Sequence, residues 1–287
     1  MESKSPIISF IIPNWNHKDL LSECIASIYE TAGNISHEII VVDNGSTDGS
    51  YEYVKECYPE VILIQNKVNL GFARAINQGV GESKGDYIFL LNNDVRLLEG
   101  SAELLVRFLE KGHDAGAVAP ALYYPDGRFQ VSCRRFPSPV SILLEFFGIE
   151  KIGRFRKWKL NIYEHVEGVV MQPMASALLI RRECWEAVGF MDESLPIFFN
   201  DVDWCYRFYK NTDFKIYFYP EAKAIHHHGA SVSRMRNRKR LEFIRSLVKF
   251  QLKHFPVANI SLFYLLLLHL FSHVYAWSSC NHYVNSF

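Results

Sequence analysis

The first hundred residues alternate short apolar runs with stretches of helical spacing, and this alternation limits the fold more than any other feature. Apolar runs that end in polar or turn residues occur at 7–12, 38–42, 61–64 and 87–91. Between the runs, apolar side chains recur every three or four residues, as on one face of a helix. This β-α-β-α-β-α-β order predicts an α/β fold with a mostly parallel central sheet flanked by helices.

The fourth apolar run is the best candidate for a central strand. Tyr87–Leu91 is apolar throughout, which is typical of a strand covered on both faces. It leads directly into Asn92, Asn93 and Asp94. Because ligands of open α/β sheets bind at the carboxyl ends of strands, this polar step is a candidate site. A carboxylate there suits Mg²⁺ or Mn²⁺ bridging to phosphates, and the simpler alternative is a solvated turn.

Two more acidic steps follow apolar stretches. Asp43 ends the second run, where it could accept a hydrogen bond from a ribose hydroxyl or a base N–H, or simply cap its turn. Asp201 and Asp203 fall in the first turn of a helix predicted to begin near Asn200, where the helix macrodipole favours carboxylates. Helix capping is one reading of this pair. The other is a general base held against an apolar wall, where its pKa can be tuned.

Three consecutive histidines, His226 to His228, form the remaining cluster of ionisable side chains. Three adjacent imidazoles cannot all face one point, although His226 and His228 share one face of an extended chain. One of them is a candidate metal ligand, with a structural role as the alternative.

Composition excludes several other classes of protein. Lys and Arg together number 31 and so do Asp and Glu, so the net charge of zero gives no sign of a nucleic-acid partner. The six cysteines form no CxxC pair, which argues against a zinc site or disulfide framework and favours the reducing cytoplasm. No GxGxxG follows the first run and no GxxxxGK[ST] occurs, so a dinucleotide site and a Walker-type ATPase are unsupported. We also expect no secretory signal, because the first residues run straight into a strand.

The composition changes at residue 233. Basic residues and helically spaced apolar residues fill 234–253, and a strongly apolar stretch follows at 257–277. The second stretch is about long enough to cross a bilayer, but its polar side chains make it a poor span. We therefore predict a main α/β domain at 1–232 and a helical tail at 233–287. The tail is expected to lie on an anionic membrane surface at the cytoplasmic side, or alternatively to pack on protein.

Together, the motifs resemble those of the inverting family 2 glycosyltransferases of the GT-A fold. Within that family they are most similar to the bacterial rhamnosyltransferase-type enzymes of surface polysaccharide assembly. Each motif alone is weak, whereas their joint order is specific. The motifs are Ile11-Ile12-Pro13-Asn14-Trp15-Asn16, Val41–Gly49, Asn69–Asn77, Leu91-Asn92-Asn93-Asp94, Asn200-Asp201-Val202-Asp203 and His226.

The resemblance implies a role for each matching residue. Asp201 would be the catalytic base, and Asp94 and His226 would hold Mg²⁺ or Mn²⁺. The donor would be bound by eight residues: Pro13, Asn14, Asn16, Asp43, Asn69, Arg74, Asn92 and Asn93.

Two positions depart from the usual family pattern. Asn92 stands where the family's DXD motif has its first Asp, so it would be at most a neutral oxygen ligand or a hydrogen-bond donor. Asn200 stands where an acidic residue usually precedes the base. The missing negative charge there is expected to lower the pKa of Asp201.

The implied reaction moves rhamnose or a hexose from a nucleoside-diphosphate sugar to a hydroxyl of a glycan or polyprenyl-linked saccharide acceptor. The metal neutralises the leaving diphosphate, while Asp201 takes the proton of the hydroxyl that attacks the anomeric carbon in line. Asp94 and Asp201 should therefore face one cleft, with room for a sugar between them.

Two alternatives compete with this reading. A nucleotidyltransferase would need a loop rich in Gly and Lys or Arg after the first strand to grip a triphosphate, and Pro13 to His17 does not resemble one. A non-catalytic sugar- or lipid-binding relative is the second alternative. Loss of Asp94 or Asp201 would have indicated such a module, and both residues are present.

Overall fold

The structure is a computed structural model, and it describes residues 8–32, 35–146, 161–162, 166–227 and 238–256. Its strands are β1 (Ile8–Asn14), β2 (His37–Asp43), β3 (Ile62–Gln65), β4 (Tyr87–Leu91), β5 (Val95–Leu97), β6 (Ala115–Tyr123), β7 (Phe129–Gln130), β8 (Cys133–Arg134), β9 (Asn161–Ile162), β10 (Gly168–Val170), β11 (Gln172–Pro173), β12 (Ala177–Arg181) and β13 (Lys215–His226). Its helices are α1 (Lys18–Thr31), α2 (Ser50–Cys57), α3 (Phe72–Glu82), α4 (Ser101–Lys111), α5 (Pro139–Phe146), α6 (Arg182–Val188), α7 (Asn200–Asn211) and α8 (Arg238–His254).

The main sheet is built from ten of the described strands. Its order is β10-β13-β6-β12-β4-β1-β2-β3, with β5 beside β13 and β7 beside β6. The neighbours β4, β1, β2 and β3 are parallel, which confirms the parallel sheet predicted from the first hundred residues. Beyond them β12 runs antiparallel to both β4 and β6, so the sheet as a whole is mixed.

The predicted central strand β4 lies in the middle of this sheet. Its alternate residues enter two hydrophobic cores, Phe89 and Leu91 on one face and Ile88 and Leu90 on the other. Side chains of a strand point alternately to the two faces, so a strand covered on both faces must be apolar at every position. This requirement explains the unbroken apolar run.

The strand directions bring several polar segments to one edge of the sheet. The carboxyl ends of β1 and β2 are in register, with Asn14 opposite Asp43. β4 ends beside them, and the antiparallel β12 brings its amino end to the same edge, with Ala177 opposite Leu91. A small second sheet has the order β11-β8-β9, and its strand β11 immediately precedes β12 along the chain.

The chain divides into two compact units, residues 1–136 with 161–246 and residues 137–160 with 247–287. Helix α8 confirms a helix in the predicted basic stretch. The predicted domain boundary at 232/233 stays a prediction, because residues 228–237 are outside the described part. The apolar stretch 257–277 is also outside it. Among the helices that are described, none combines the length and apolar character needed to cross a membrane.

Candidate active site

Polar side chains at the ends of β1 and β2 and after β4 form one hydrogen-bond network. Asn14 donates from Nδ2 to Asp43 Oδ1 at 3.0 Å and to Ser46 Oγ at 3.2 Å. Its own Oδ1 accepts from Asn93 Nδ2 at 2.7 Å. The second oxygen of Asp43 accepts from the backbone N–H of Ser46 at 3.0 Å. Asn14, Asp43 and Asn93 are all buried, so three predicted donor-binding residues lie together.

Asn16 extends this network from the loop after β1. Its backbone is left-handed, with φ of 61°, a conformation that Asn adopts more readily than most residues. Its Oδ1 accepts from the backbone N–H of Thr47 at 2.9 Å, and its own N–H donates to Ser46 Oγ at 2.8 Å. Asn93 also donates to the Asn16 carbonyl at 3.2 Å. Pro13 is the penultimate residue of β1, so it lies one position before this network.

Asn69 and Arg74 lie next to the start of α3 and are held less firmly. Asn69 Oδ1 accepts from the backbone N–H of Gly71 at 2.9 Å, which closes a local turn. Arg74 Nε is 3.8 Å from Glu193 Oε2, and both side chains are about half exposed. An exposed ion pair at that distance stabilises the fold little, so the Arg74 guanidinium can exchange its partner at low cost.

Asp94 and His226 meet although 132 positions separate them, because β13 pairs with β5 and sets His226 opposite Val95. His226 Nε2 is 3.3 Å from Asp94 Oδ1, and both side chains are buried. His226 Nδ1 is 2.6 Å from Gln130 Oε1. An amide oxygen only accepts, so the imidazole donates from Nδ1 to Gln130, and its Nε2 faces the Asp94 carboxylate. A carboxylate oxygen and an imidazole nitrogen this close together fit two ligands of one cation.

Asn92 lies beside this pair. Its backbone N–H donates to the Ser176 carbonyl at 2.9 Å. Its side-chain Oδ1 is buried and has no hydrogen-bond partner among the described residues. Cys24, whose thiol is 3.5 Å from the Asn92 carbonyl, is excluded as a nucleophile because burial raises its pKa far above the usual range. The negative charge of Asp94 adds to that rise.

Asp201 lies in the first turn of α7. Burial raises the pKa of its carboxyl above the ordinary value, and the backbone N–H groups of Val202 and Ala175 and the charge of Arg134 only partly offset that rise. The Val202 N–H donates to Asp201 Oδ1 at 2.8 Å. The neutral Asn200 adds no charge that would raise this pKa further, so burial is the main cause of the rise.

Asp203 has a structural role. It is fully buried, and its Oδ2 accepts from Arg207 Nε at 2.8 Å, one helical turn further on. Arg207 also donates to the carbonyls of Val188 and Phe190 at 2.6 and 2.8 Å. Of the two carboxylates in this turn, Asp201 alone has no cation bonded to it among the described residues, which leaves it as the candidate base.

The loop that precedes α7 is fastened to α3. Asn77 donates from Nδ2 to the Met191 carbonyl and accepts from the Met191 N–H, each at 2.9 Å. The backbone N–H of Phe72 donates to the Pro196 carbonyl at 2.7 Å. Gly71 has φ of 88°, and a Cβ on it would lie 2.8 Å from Pro196, so only glycine fits this close approach. The helix that carries Arg74 therefore supports the loop that leads to Asp201.

A two-residue segment before β12 touches both candidate centres. The backbone N–H of Ala175 hydrogen-bonds the Asp201 carboxylate. The next residue, Ser176, accepts from the N–H of Asn92 at 2.9 Å, two positions before Asp94. Asp201 and the strand end that leads to Asp94 thus hydrogen-bond two consecutive residues, Ala175 and Ser176.

The sequence pattern did not reveal two residues of this arrangement and one contact. Gln130 and Ser176 belong to no motif, and no signal in the sequence pointed to them. Asn77 closes the motif Asn69–Asn77, so its position was recognised but its contact with Met191 was not.

Known proteins resemble this chain in sequence. The family model described as glycosyl transferase family 2 matches residues 9–174. The N-acetylglucosaminyl-diphospho-decaprenol L-rhamnosyltransferase of Mycobacterium tuberculosis (strain CDC 1551 / Oshkosh) is 30% identical over 213 residues, which cover 68% of each chain.

Two solved structures share the fold. A structure of GalNAc-T7 with UDP, GalNAc and Mn²⁺ matches with a TM-score of 0.60 at 16% identity, covering 77% of this chain and 43% of that one. The mannosyltransferase PcManGT of Pyrobaculum calidifontis, with GDP-Man and Mn²⁺, matches with a TM-score of 0.57 at 17% identity, covering 88% of this chain and 64% of that one. The family model matches more than half of this chain. The chain therefore belongs to glycosyl transferase family 2, and it has the GT-A glycosyltransferase fold.

Proposed function

We propose that this chain is an inverting, metal-assisted glycosyltransferase that moves a sugar from a nucleoside diphosphate to an acceptor hydroxyl. One observation carries the proposal: the segment Ala175-Ser176 joins a partly buried carboxylate of raised pKa, Asp201, to the strand end that leads into the Asp94–His226 pair. A base on one side of a sugar and a leaving-group site on the other are the two requirements of an in-line displacement with inversion.

The metal would be held by Asp94 and His226. No group of three His, Cys, Asp or Glu side chains that could hold a metal occurs in the described ranges, so the remaining positions fall to Asn92 Oδ1, water and the donor diphosphate. A bound Mn²⁺ or Mg²⁺ would neutralise charge on the departing diphosphate. The imidazole ligand favours Mn²⁺, since Mg²⁺ takes oxygen ligands almost exclusively.

The protein's own groups supply the remaining steps. The network of Asn14, Asn16, Asp43 and Asn93 would receive the nucleoside, and Arg74 would leave Glu193 for the diphosphate. Asp201 would remove the proton from the acceptor hydroxyl as that oxygen attacks the anomeric carbon. Its raised pKa suits a base that must take a proton and later release it.

We propose dTDP-rhamnose as the first donor to test and UDP-hexoses as the next. The basis is the 30% identity with a transferase whose name states that it moves L-rhamnose to a decaprenol-linked saccharide. The same likeness supports a polyprenyl-linked or free glycan acceptor in surface polysaccharide assembly. The exposed side chains Leu241, Arg245 and Leu252 of α8 support an anionic membrane surface at the cytoplasmic face as partner. Greater co-sedimentation with vesicles containing anionic lipid than with neutral vesicles would test that contact.

The deciding experiment measures release of nucleoside diphosphate from dTDP-rhamnose, UDP-glucose, UDP-galactose, UDP-N-acetylglucosamine and GDP-mannose. Each donor is tested with lipid-linked saccharides as acceptors, with Mn²⁺ or with EDTA. We expect metal-dependent, acceptor-dependent release from one donor. Formation of a nucleoside triphosphate and a sugar 1-phosphate when pyrophosphate is added to a donor would instead indicate a nucleotidyltransferase. Donor binding without release under any acceptor would indicate a non-catalytic relative.

A further inference from the structure

Ser176 carries a buried hydroxyl that lacks a hydrogen-bond partner among the described residues. The side chain is only 4% exposed, so water does not readily replace the missing partner. Folded proteins leave few buried polar groups in this condition, and each one calls for a physical explanation. A ligand that supplies the partner when it binds is one such explanation.

The position of Ser176 says where that ligand would be. Its carbonyl accepts from the N–H of Asn92, and the N–H of the preceding Ala175 bonds the Asp201 carboxylate. In an in-line transfer, the moving sugar lies between the leaving group and the base that activates the acceptor. Ser176 lies in the segment that joins those two centres.

The Ser176 hydroxyl differs from its neighbours along the chain in being able to form a hydrogen bond. The residues on either side of Ser176 are alanines, and both are buried. Their methyl groups cannot hydrogen-bond a sugar. Across the backbone contact, Asn92 Oδ1 is also buried and without a partner among the described residues. With Asn92 Oδ1 assigned to the metal, the Ser176 hydroxyl is the group that can donate to or accept from a hydroxyl of a pyranose ring.

We propose that Ser176 is a sugar-contacting residue: its hydroxyl hydrogen-bonds a ring hydroxyl of the transferred sugar and helps to select the donor. This inference rests on the proposed function and deepens it, because it assigns a residue to the sugar rather than to the nucleotide or metal. A site built to bond a hydroxyl discriminates against a donor that lacks it, since its buried polar group then stays unpaired.

The test pairs Ser176→Ala with donors that lack single hydroxyls. The donor that the wild type turns over, dTDP-L-rhamnose first, is compared with its 2-, 3- and 4-deoxy analogues. We expect Ser176→Ala to lower kcat/KM for the intact donor about tenfold. The wild type should lose a similar factor on one deoxy analogue, and the variant should lose nothing further on that analogue. Ser176→Thr, which keeps a hydroxyl, should restore part of the discrimination.

Binding and stability measurements separate this role from a structural one. Ser176→Ala should weaken binding of the intact donor but leave the affinity for the nucleoside diphosphate alone unchanged, and its Tm should not fall. Ser101→Ala is the matched control, because that buried hydroxyl already bonds the Lys223 carbonyl at 2.8 Å. The control should lower the Tm and leave the deoxy-donor profile as in the wild type.

Three outcomes are distinguishable. If Ser176→Ala discriminates among the three deoxy donors as the wild type does, the sugar contact is overturned while the proposed function stands. Equal weakening for the donor and the nucleoside diphosphate would overturn it as well, because the residue would then act on the nucleotide. If the wild type neither binds nor turns over any donor, the proposed function is wrong, and so is this inference, which depends on it.

Discussion

The two sides of the candidate active site differ in how their polar atoms are satisfied. At the ends of β1 and β2, Asn14, Asp43 and Asn93 bond to one another and to neighbouring backbone. At the ends of β4 and β12, Asn92 Oδ1 and Ser176 Oγ are buried without hydrogen-bond partners among the described residues. We call the first the complete side, because these three side chains are bonded as folded. The second is the incomplete side, because its two buried groups await a partner that a ligand would supply.

This difference indicates that the two sides have different roles. A fully bonded network is rigid and presents the same surface before and after binding, which suits recognition of an invariant nucleoside. Unpaired buried groups cost stability and persist where function requires them. Substitutions on the complete side should therefore lower stability, and substitutions on the incomplete side should lower activity or metal affinity with little effect on folding.

The largest effect is expected from Asp201→Asn, in the helical turn that Ala175 joins to the incomplete side. Removing a general base typically costs about 10²- to 10⁴-fold in kcat. Stability should not fall: the folded pKa of Asp201 is raised, so above the unfolded pKa its ionised form opposes folding, and asparagine removes that penalty. Asparagine also keeps an oxygen for the Val202 N–H. The measurements are kcat under saturating substrates and Tm at pH 7.

Asp203→Asn is the matched control in the same helical turn. It breaks the buried bond to Arg207 and should cost about 3 kcal/mol of unfolding free energy. If Asp201→Asn destabilised the protein as much as this control and retained wild-type turnover, Asp201 would belong with the structural residues.

Gln130→Ala should have the next largest effect. Gln130 orients His226 through the Nδ1 contact at 2.6 Å, and loss of such a partner of a metal ligand typically costs 10- to 100-fold in metal affinity. Titration of the protein with Mn²⁺ in the presence of nucleoside diphosphate measures it. Wild-type Mn²⁺ affinity in this variant would show that His226 needs no such support, or that it is not a ligand.

The sequence anticipated the parts of this site that depend on local pattern. Buried strands show as apolar runs and parallel order follows from the β-α alternation, so the polar ends of β1, β2 and β4 could be expected at one edge. Asp203 could also have been separated from Asp201, because Arg207 stands four residues after it, the spacing of a helical ion pair.

The rest depends on pairing between distant segments, which one sequence does not encode visibly. The antiparallel entry of β12 brings Ser176 to Asn92, 84 positions away along the chain. The pairing of β13 with β5 and the contact from β7 bring Gln130 to His226, 96 positions apart. Neither Ser176 nor Gln130 lies in a recognisable motif, so only the fold shows where they are. The pKa of Asp201 likewise depends on burial that the sequence does not reveal.

On the complete side, Asn14→Ala should act mainly on stability. It leaves Asp43 Oδ1 and the Asn93 amide short of partners in a buried place, which should cost about 1–3 kcal/mol of unfolding free energy. Denaturant unfolding measures the loss. If the variant were as stable as the wild type, the hydrogen bonds of Asn14 would not hold the network rigid. The contrast between the two sides of the site would then have no basis.

The smallest effect is expected from Glu193→Gln, which removes a charge at the edge of the site and keeps the oxygen that accepts from Asn77. The pair with Arg74 is long and about half exposed, so unfolding free energy should change by less than about 1 kcal/mol. If Arg74 must leave Glu193 to reach a diphosphate, the variant should bind nucleoside diphosphate a few-fold more tightly. Glu103→Gln, which breaks the exposed pair with Arg107 on α4, should leave that affinity unchanged. Unchanged affinity in both variants would place Arg74 outside the diphosphate site. The groups that change partner on binding would then be only those at the ends of β4, β12 and β13.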